Sequence, residues 1–263
     1  MVIGIDIGAT KIAGGLVSED GLVLEEFKFA TPQDPNEAVK LITDKVRNWL
    51  DKGVQAVGIG APGPTNLPRW RNFPLKKRLN EVLGLPVALE NDSHAALLGE
   101  LWQGAGKGKD RLMMLTLGSG VGGALWRDGK LWQGSDGHGA ELGHTIIDPN
   151  FNGSCQAGHR GCLEAMVGGW ALKQRYGKDV KTLFSDRIFV SEWTINLKRG
   201  LTKLIAEHQP KIVIIGGGVS NDAALFMPKL QDLGAPVVKA ELGPKAGMVG
   251  AAYLATSLLA TNY

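Results

Sequence analysis

Three short apolar runs in this chain stop at turns rich in glycine. Val2 to Asp6 leads into Asp6-Ile7-Gly8-Ala9-Thr10-Lys11, and Leu112 to Leu117 into Gly118-Ser119-Gly120-Val121-Gly122-Gly123. Ile212 to Ile215 leads into Gly216-Gly217-Gly218. Aliphatic runs of this length, bounded by turn signals, read as strands. Glycine next to a strand end lets backbone approach another group closely. The 37 glycines among 263 residues are about twice the usual ~7%, with no collagen-like period. The first two turns join two strands, whereas the third lies between a strand and a helix. None is a Walker A loop, because Gly-Lys-Ser/Thr is missing, and the second is no Rossmann fingerprint, because a strand follows it. Each turn alone reads either as a phosphate cradle or as an ordinary hairpin turn.

Composition narrows the class. The balance of 29 Lys+Arg against 26 Asp+Glu leaves a charge of +3, too small to argue for nucleic acid or a membrane surface. Lys76-Lys77-Arg78 reads as a solvated face. No apolar run approaches the ~18 residues of a spanning helix, and Met1 to Asp6 lacks the pattern of a signal peptide. Two cysteines make no disulfide framework, so a reducing cytoplasm is expected.

Val2 to Phe29 predicts an antiparallel meander, and the apolar spacing from Glu37 to Leu50 predicts a helix. Strands follow at Val54 to Gly60 and Pro86 to Glu90, with helices at Leu75 to Leu83 and from Asp92 to Trp102. Gly104 to Lys109 reads as a linker, which divides the chain into residues 1–105 and 106–263. Beyond it, helices are expected near 163–176, 191–208, 221–233 and 247–259, with most of 127–163 in loop. A strand meander followed by helix occurs in both halves.

Two further constellations carry chemistry. Asn91-Asp92 lies where a strand feeds a helix, so Asp92 reads either as a base for a hydroxyl proton or as the helix N-cap. Glu141-Leu142-Gly143-His144 precedes Cys155-Gln156-Ala157-Gly158-His159-Arg160-Gly161-Cys162-Leu163-Glu164. Such spacing of His and Cys suits a tetrahedral zinc site, and equally a loop with two buried thiols.

In order, these segments resemble the ROK family of bacterial sugar kinases and sugar-responsive repressors, from Val2 to about Ala252. The resemblance implies an α/β, two-lobed actin-like ATPase (ribonuclease H-like) fold, each lobe a mixed sheet flanked by helices. Residues 1–105 would form the smaller lobe and 106–263 the larger, with the last helix a candidate to return to the first. It implies ATP-dependent phosphorylation of a hexose, glucose first, with fructose, N-acetylmannosamine or a non-catalytic sensor as alternatives. Asp92 would be the base, and Gly63, Asn91, Glu141, His144 and Glu164 would meet the sugar. Asp6, Gly8, Thr10, Lys11, Gly118, Ser119, Gly120, Gly122 and Gly123 would hold phosphates, and Gly216, Gly217 and Gly218 the adenosine end. Implied partners are ATP with Mg²⁺, the hexose and a second copy of the chain. The family's zinc run usually has a cysteine where Ala157 stands, which leaves His144, Cys155 and Cys162, with His159 as a replacement. With Asp6 so near the start, no winged helix is expected before the first loop. The segment after Pro64 is short where relatives carry a hairpin.

Overall fold

The computed structural model describes residues 1–63, 67–134 and 140–260. Pro64 and Asn66, named above, lie outside them. The chain divides into unit 1, Met1–Lys107 with Pro244–Tyr263, and unit 2, Gly108–Gly243. Among the described residues no helix is long and apolar enough to cross a membrane.

Unit 1 is built on strands β1 (Val2–Ile7), β2 (Lys11–Val17), β3 (Val23–Ala30), β4 (Ala56–Ala61) and β5 (Val87–Asn91), in the order β3-β2-β1-β4-β5. β1 to β3 form the expected meander, and β4 and β5 add on in parallel. Side chains alternate across a strand. Ile3, Ile5 and Ile7 therefore share one face with Ile42 and Val46 of α1 (Pro35–Leu50) and Leu79 of α2 (Leu75–Leu83). Asp34 caps α1 by accepting the Asn36 N–H at 2.9 Å, and Gly84 ends α2 in the left-handed conformation.

The opposite face carries Gly4, Asp6 and Gly58, and it is covered by α8 (Ala246–Ala260), which packs also on α3 (Asp92–Gln103). This contact is backbone to backbone. A Cβ on Gly58 would lie 1.7 Å from the Ala251 carbonyl oxygen, and one on Gly250 only 1.6 Å from that of Ala95.

Unit 2 carries β6 (Leu112–Leu117), β7 (Val121–Arg127), β8 (Lys130–Leu131), β9 (Ile212–Gly216) and β10 (Val237–Lys239), in the order β10-β9-β6-β7-β8. Its core is aromatic: Trp193 of α7 (Arg187–His208) meets Phe184 and Phe226 edge-on, with centroids 4.9 and 5.1 Å away. Two expectations are corrected. The helix near 163–176 is two, α4 (Leu163–Val167) and α5 (Gly169–Tyr176), broken where Gly168 is extended. A short α6 (Val180–Leu183) follows. The helix expected over 221–233 is a pair of 3-10 segments, Gly218–Leu225 and Met227–Lys229, because Asp222 leaves helical angles and Pro228 follows soon after.

Candidate functional site

In unit 1 the chemistry gathers at the ends of β1 and β5. Strand alternation puts Asp6 on the α8 face, where a Cβ on Gly247 would stand 2.7 Å from the Asp6 carboxyl carbon. Burial, then the Asp92 carboxylate, push the Asp6 pKa up to about 6 against the pull of Lys11. Burial raises Asp92 as well, while its bonds from Ser93 and the nearby His94 oppose the shift. Gly8, Ala9 and Thr10 form the turn before Lys11 opens β2. The Gly8 N–H donates to the Lys11 carbonyl at 2.9 Å, and the Thr31 hydroxyl to the Gly8 carbonyl at 2.6 Å. Gly63 follows β4, with open space around a Cβ.

Asp92 is not the N-cap of α3. Asn91 is: its side-chain oxygen accepts the Ser93 N–H at 2.9 Å, and Asp92 is the first helical residue. Asp92 Oδ1 takes the same N–H at 2.8 Å. Sequence reasoning passed over two neighbours. The buried His94 imidazole lies 2.9 Å from Glu90 Oε1, which also accepts the Asn91 N–H at 2.8 Å. Glu90 belongs to β5 and His94 to α3, so the contact spans the strand-to-helix junction and no single periodicity signals it.

In unit 2 the glycine turn is Gly118-Ser119-Gly120, closed by the Gly118 N–H on the Gly120 carbonyl at 3.0 Å. Gly122 and Gly123 belong to β7 instead, paired with Thr116 and Leu115. A Cβ on Gly123 would meet Leu142 at 2.5 Å, so this glycine makes room for the Glu141–His144 turn. Gly143 of that turn packs its backbone on Val121, where a Cβ would lie 2.0 Å from the carbonyl oxygen. Glu141 is left-handed at φ 40°, a conformation L residues seldom adopt, and such outliers gather at functional sites.

Glu164 sits in the first turn of α4, almost fully buried, and its Oε2 accepts the Val121 N–H at 2.8 Å. α7 holds α4 in place: the Trp193 indole N–H donates to the Val167 carbonyl at 3.0 Å, and Gly200 admits Leu163. Gly216 ends β9. Gly217 has φ 82°, and a Cβ there would strike the Leu117 carbonyl oxygen at 2.3 Å, whereas Gly218 faces open space. Gly217 therefore serves the packing of its loop on β6, whereas Gly218 has no such neighbour.

His144, Cys155 and His159 bring ligand atoms within 4.8 Å of one another. The Cys155 sulfur is 3.8 Å from His144 Nδ1 and 3.7 Å from His159 Nδ1. Zinc bonds of about 2.0–2.3 Å in a tetrahedron give edges of roughly 3.5 Å, so this donor set fits the ion. The other ring nitrogen of His144, Nε2, lies 3.4 Å from Glu141 Oε2. The Cys162 sulfur interacts with Cys155 and also caps α4, accepting the Ala165 N–H at 3.3 Å. Burial, above all, pushes its thiol up to about 11.

Residues 2–257 match the model of the ROK family. The chain belongs to the ROK family. A glucokinase of Thermotoga maritima is 36% identical, over 95% of this chain and 96% of that one. A ROK hexokinase of Thermus thermophilus superposes with a TM-score of 0.88 at 30% identity, covering 99% of both chains. A ROK glucokinase of Streptomyces griseus, solved with glucose and AMPPNP, gives 0.79 at 34% identity, over 97% of this chain and 99% of that one. The fold of this ROK chain is accordingly the actin-like ATPase fold, each unit a mixed sheet flanked by helices.

Proposed function

We propose that this chain is an ATP-dependent hexose kinase of the glucokinase type. The observation that carries the assignment is Asp92: a part-buried carboxylate of raised pKa at the first position of α3, beside a second raised carboxylate, Asp6. Phosphoryl transfer asks the protein mostly for positioning and charge stabilisation. Asp92 accepts the proton of the attacking hexose hydroxyl as its oxygen bonds to the γ-phosphorus and ADP departs. A carboxylate of raised pKa is the better proton acceptor at neutral pH. Asn91, Glu141, His144, Glu164 and Gly63 orient the sugar, since carboxylate and imidazole acceptors suit vicinal hydroxyls.

The turn at Gly8, Thr10 and Lys11 and that at Gly118, Ser119 and Gly120 take phosphate oxygens, with Gly218 and its neighbours toward the adenosine. Asp6 offers hard oxygens suited to Mg²⁺, which supplies charge neutralisation on the phosphates when bound. His144, Cys155 and His159 would hold zinc, with the Cys162 sulfur beside Cys155. Bound there, zinc would supply a structural clamp on the loop, while Glu141 beside the His144 ring would help orient it. Glucose leads among the hexoses because glucokinases recur among the similar proteins. The setting is cytoplasmic, in keeping with two buried free thiols, and the working form is a homodimer.

A coupled ADP-release assay over glucose, fructose, mannose and N-acetylmannosamine tests the assignment. Hexose-dependent ADP release, highest with glucose, is the expected result. Nucleotide binding with no release on any sugar would instead favour a non-catalytic sensor.

A further inference from the structure

One oxygen of the Glu164 carboxylate already has a partner inside the protein. Oε2 accepts the Val121 N–H at 2.8 Å, a buried bond between residues 43 apart in sequence. A Cβ on Gly120 would stand 2.5 Å from this oxygen, so glycine there is what lets the carboxylate reach the turn. Two further bonds fasten the same turn. The Gly169 N–H donates to the Gly118 carbonyl at 2.9 Å, and the Trp170 N–H to the Ser119 carbonyl at 2.7 Å.

These anchors decide where the turn's amides point. In a trans peptide the carbonyl and the following N–H face opposite ways, and the described residues hold no cis bond. Tying the Gly118 and Ser119 carbonyls to α5 therefore turns the Ser119 and Gly120 amides to the other side. Two adjacent amides presented together form a concavity suited to an anion. The next peptide is set the opposite way: Val121 N–H goes to Glu164, and the Gly120 carbonyl accepts from Gly118 across the turn.

On the hexose-kinase assignment above, we infer that Glu164 is a positioning residue for the phosphate turn as well as a hexose contact. Oε2 fixes the turn, and Oε1 is its oxygen for the sugar. One carboxylate thus links the two substrates, and the linkage is reciprocal, each ligand changing the other's affinity by the same factor.

Calorimetry with a non-hydrolysable ATP analogue, in the absence of hexose, isolates this role. Glu164→Ala is expected to weaken analogue binding about tenfold, the scale of a lost hydrogen bond to a charged group. Glu164→Gln keeps an acceptor for the Val121 N–H, so it should stay within about threefold for the analogue while losing hexose affinity. Gly120→Ala, which drives a methyl into Oε2, should weaken the analogue about tenfold with Glu164 intact. Thermal melts check folding, and if Glu164→Ala does not fold, the Gly120→Ala and Glu164→Gln pair decides. Analogue affinity unchanged in Glu164→Ala, or in Gly120→Ala where that pair decides, would overturn the inference. Absence of hexose-dependent ADP release by the unmodified chain would overturn the kinase assignment instead.

Discussion

Units 1 and 2 carry the same five-stranded sheet and place different chemistry at the same point of it. In each, a central strand has an antiparallel glycine hairpin on one side and two parallel strands on the other. Asp6 pairs with Ala13 and Gly60, while Thr116 pairs with Gly122 and Gly216. The register therefore equates Asp6 with Thr116, a carboxylate with a hydroxyl. The hairpin tips differ too. Each is closed by a bond of its own, Gly8 to Lys11 and Gly118 to Gly120, but that of unit 1 is held besides by Thr31 and that of unit 2 from α4 and α5. A repeated topology fixes where a site can form, and the residues set there decide what it does. Unit 1 contributes titratable carboxylates. Unit 2 contributes oriented backbone amides and the inserted His and Cys cluster.

The sharpest way to break this contrast is to neutralise Asp92, the proposed base in unit 1. Asp92→Asn should lower kcat by ~10² or more and leave the fold intact, because Asn91 holds the helix cap. Near-normal turnover would remove Asp92 from catalysis, and loss of folding would make it a structural residue. In unit 2 the matching probe is a pair of adjacent glycines. Gly217→Val should destabilise by roughly 3 kcal/mol or more, since it meets Leu117 backbone at a positive φ. Gly218→Val should fold normally and cost roughly tenfold in nucleotide affinity. Equal melting temperatures for the two variants would show that their surroundings do not differ as described.

Asp6→Asn measures what the buried carboxylate costs. An acid whose pKa is raised by folding lowers stability as pH rises from its unfolded value toward its folded one. The variant should be more stable than the parent at pH 8, by roughly 3 kcal/mol. The advantage should shrink as pH falls below the folded value of about 6 and almost vanish near pH 4. A gain independent of pH would point to packing. The smallest effect belongs to the His and Cys cluster of unit 2. His159→Ala should lower zinc affinity about tenfold, read by cobalt absorption or metal analysis. Stoichiometric zinc unaffected by that change would exclude His159, and a fully active protein free of zinc would exclude the metal.

Strands and long helices were legible because their periodicity is local. α2 spans the expected residues, Leu75 to Leu83. The break at Gly168 was not legible, because it depends on backbone bonds to the distant Gly118 and Ser119, whereas the 3-10 segments after Gly217 follow from local angles at Asp222 and from Pro228. At the site, residue types marked His144, Cys155 and His159 as possible partners, and their convergence is a property of the folded loop. Gly217 and Gly123 looked like ligand-facing glycines in sequence. Their close neighbours, Leu117 and Leu142, give them a packing reason instead. Glu90 with His94 was overlooked because the pair spans the junction of β5 and α3, where neither strand nor helix periodicity brings the acid and the imidazole together.

The return of α8 to unit 1 has a consequence for the order of synthesis. Gly4, Gly58 and Gly99 belong to segments made early, and the helix that lies against their backbones is made after the whole of unit 2. Unit 2 is continuous in the chain and can finish its sheet while translation proceeds. The sheet of unit 1 must wait with one face bare until Ala246 to Ala260 has left the ribosome. That sheet has the longer-range contacts and the later completion, so a chain truncated before residue 244 would keep the second half complete and leave the first open to chaperones.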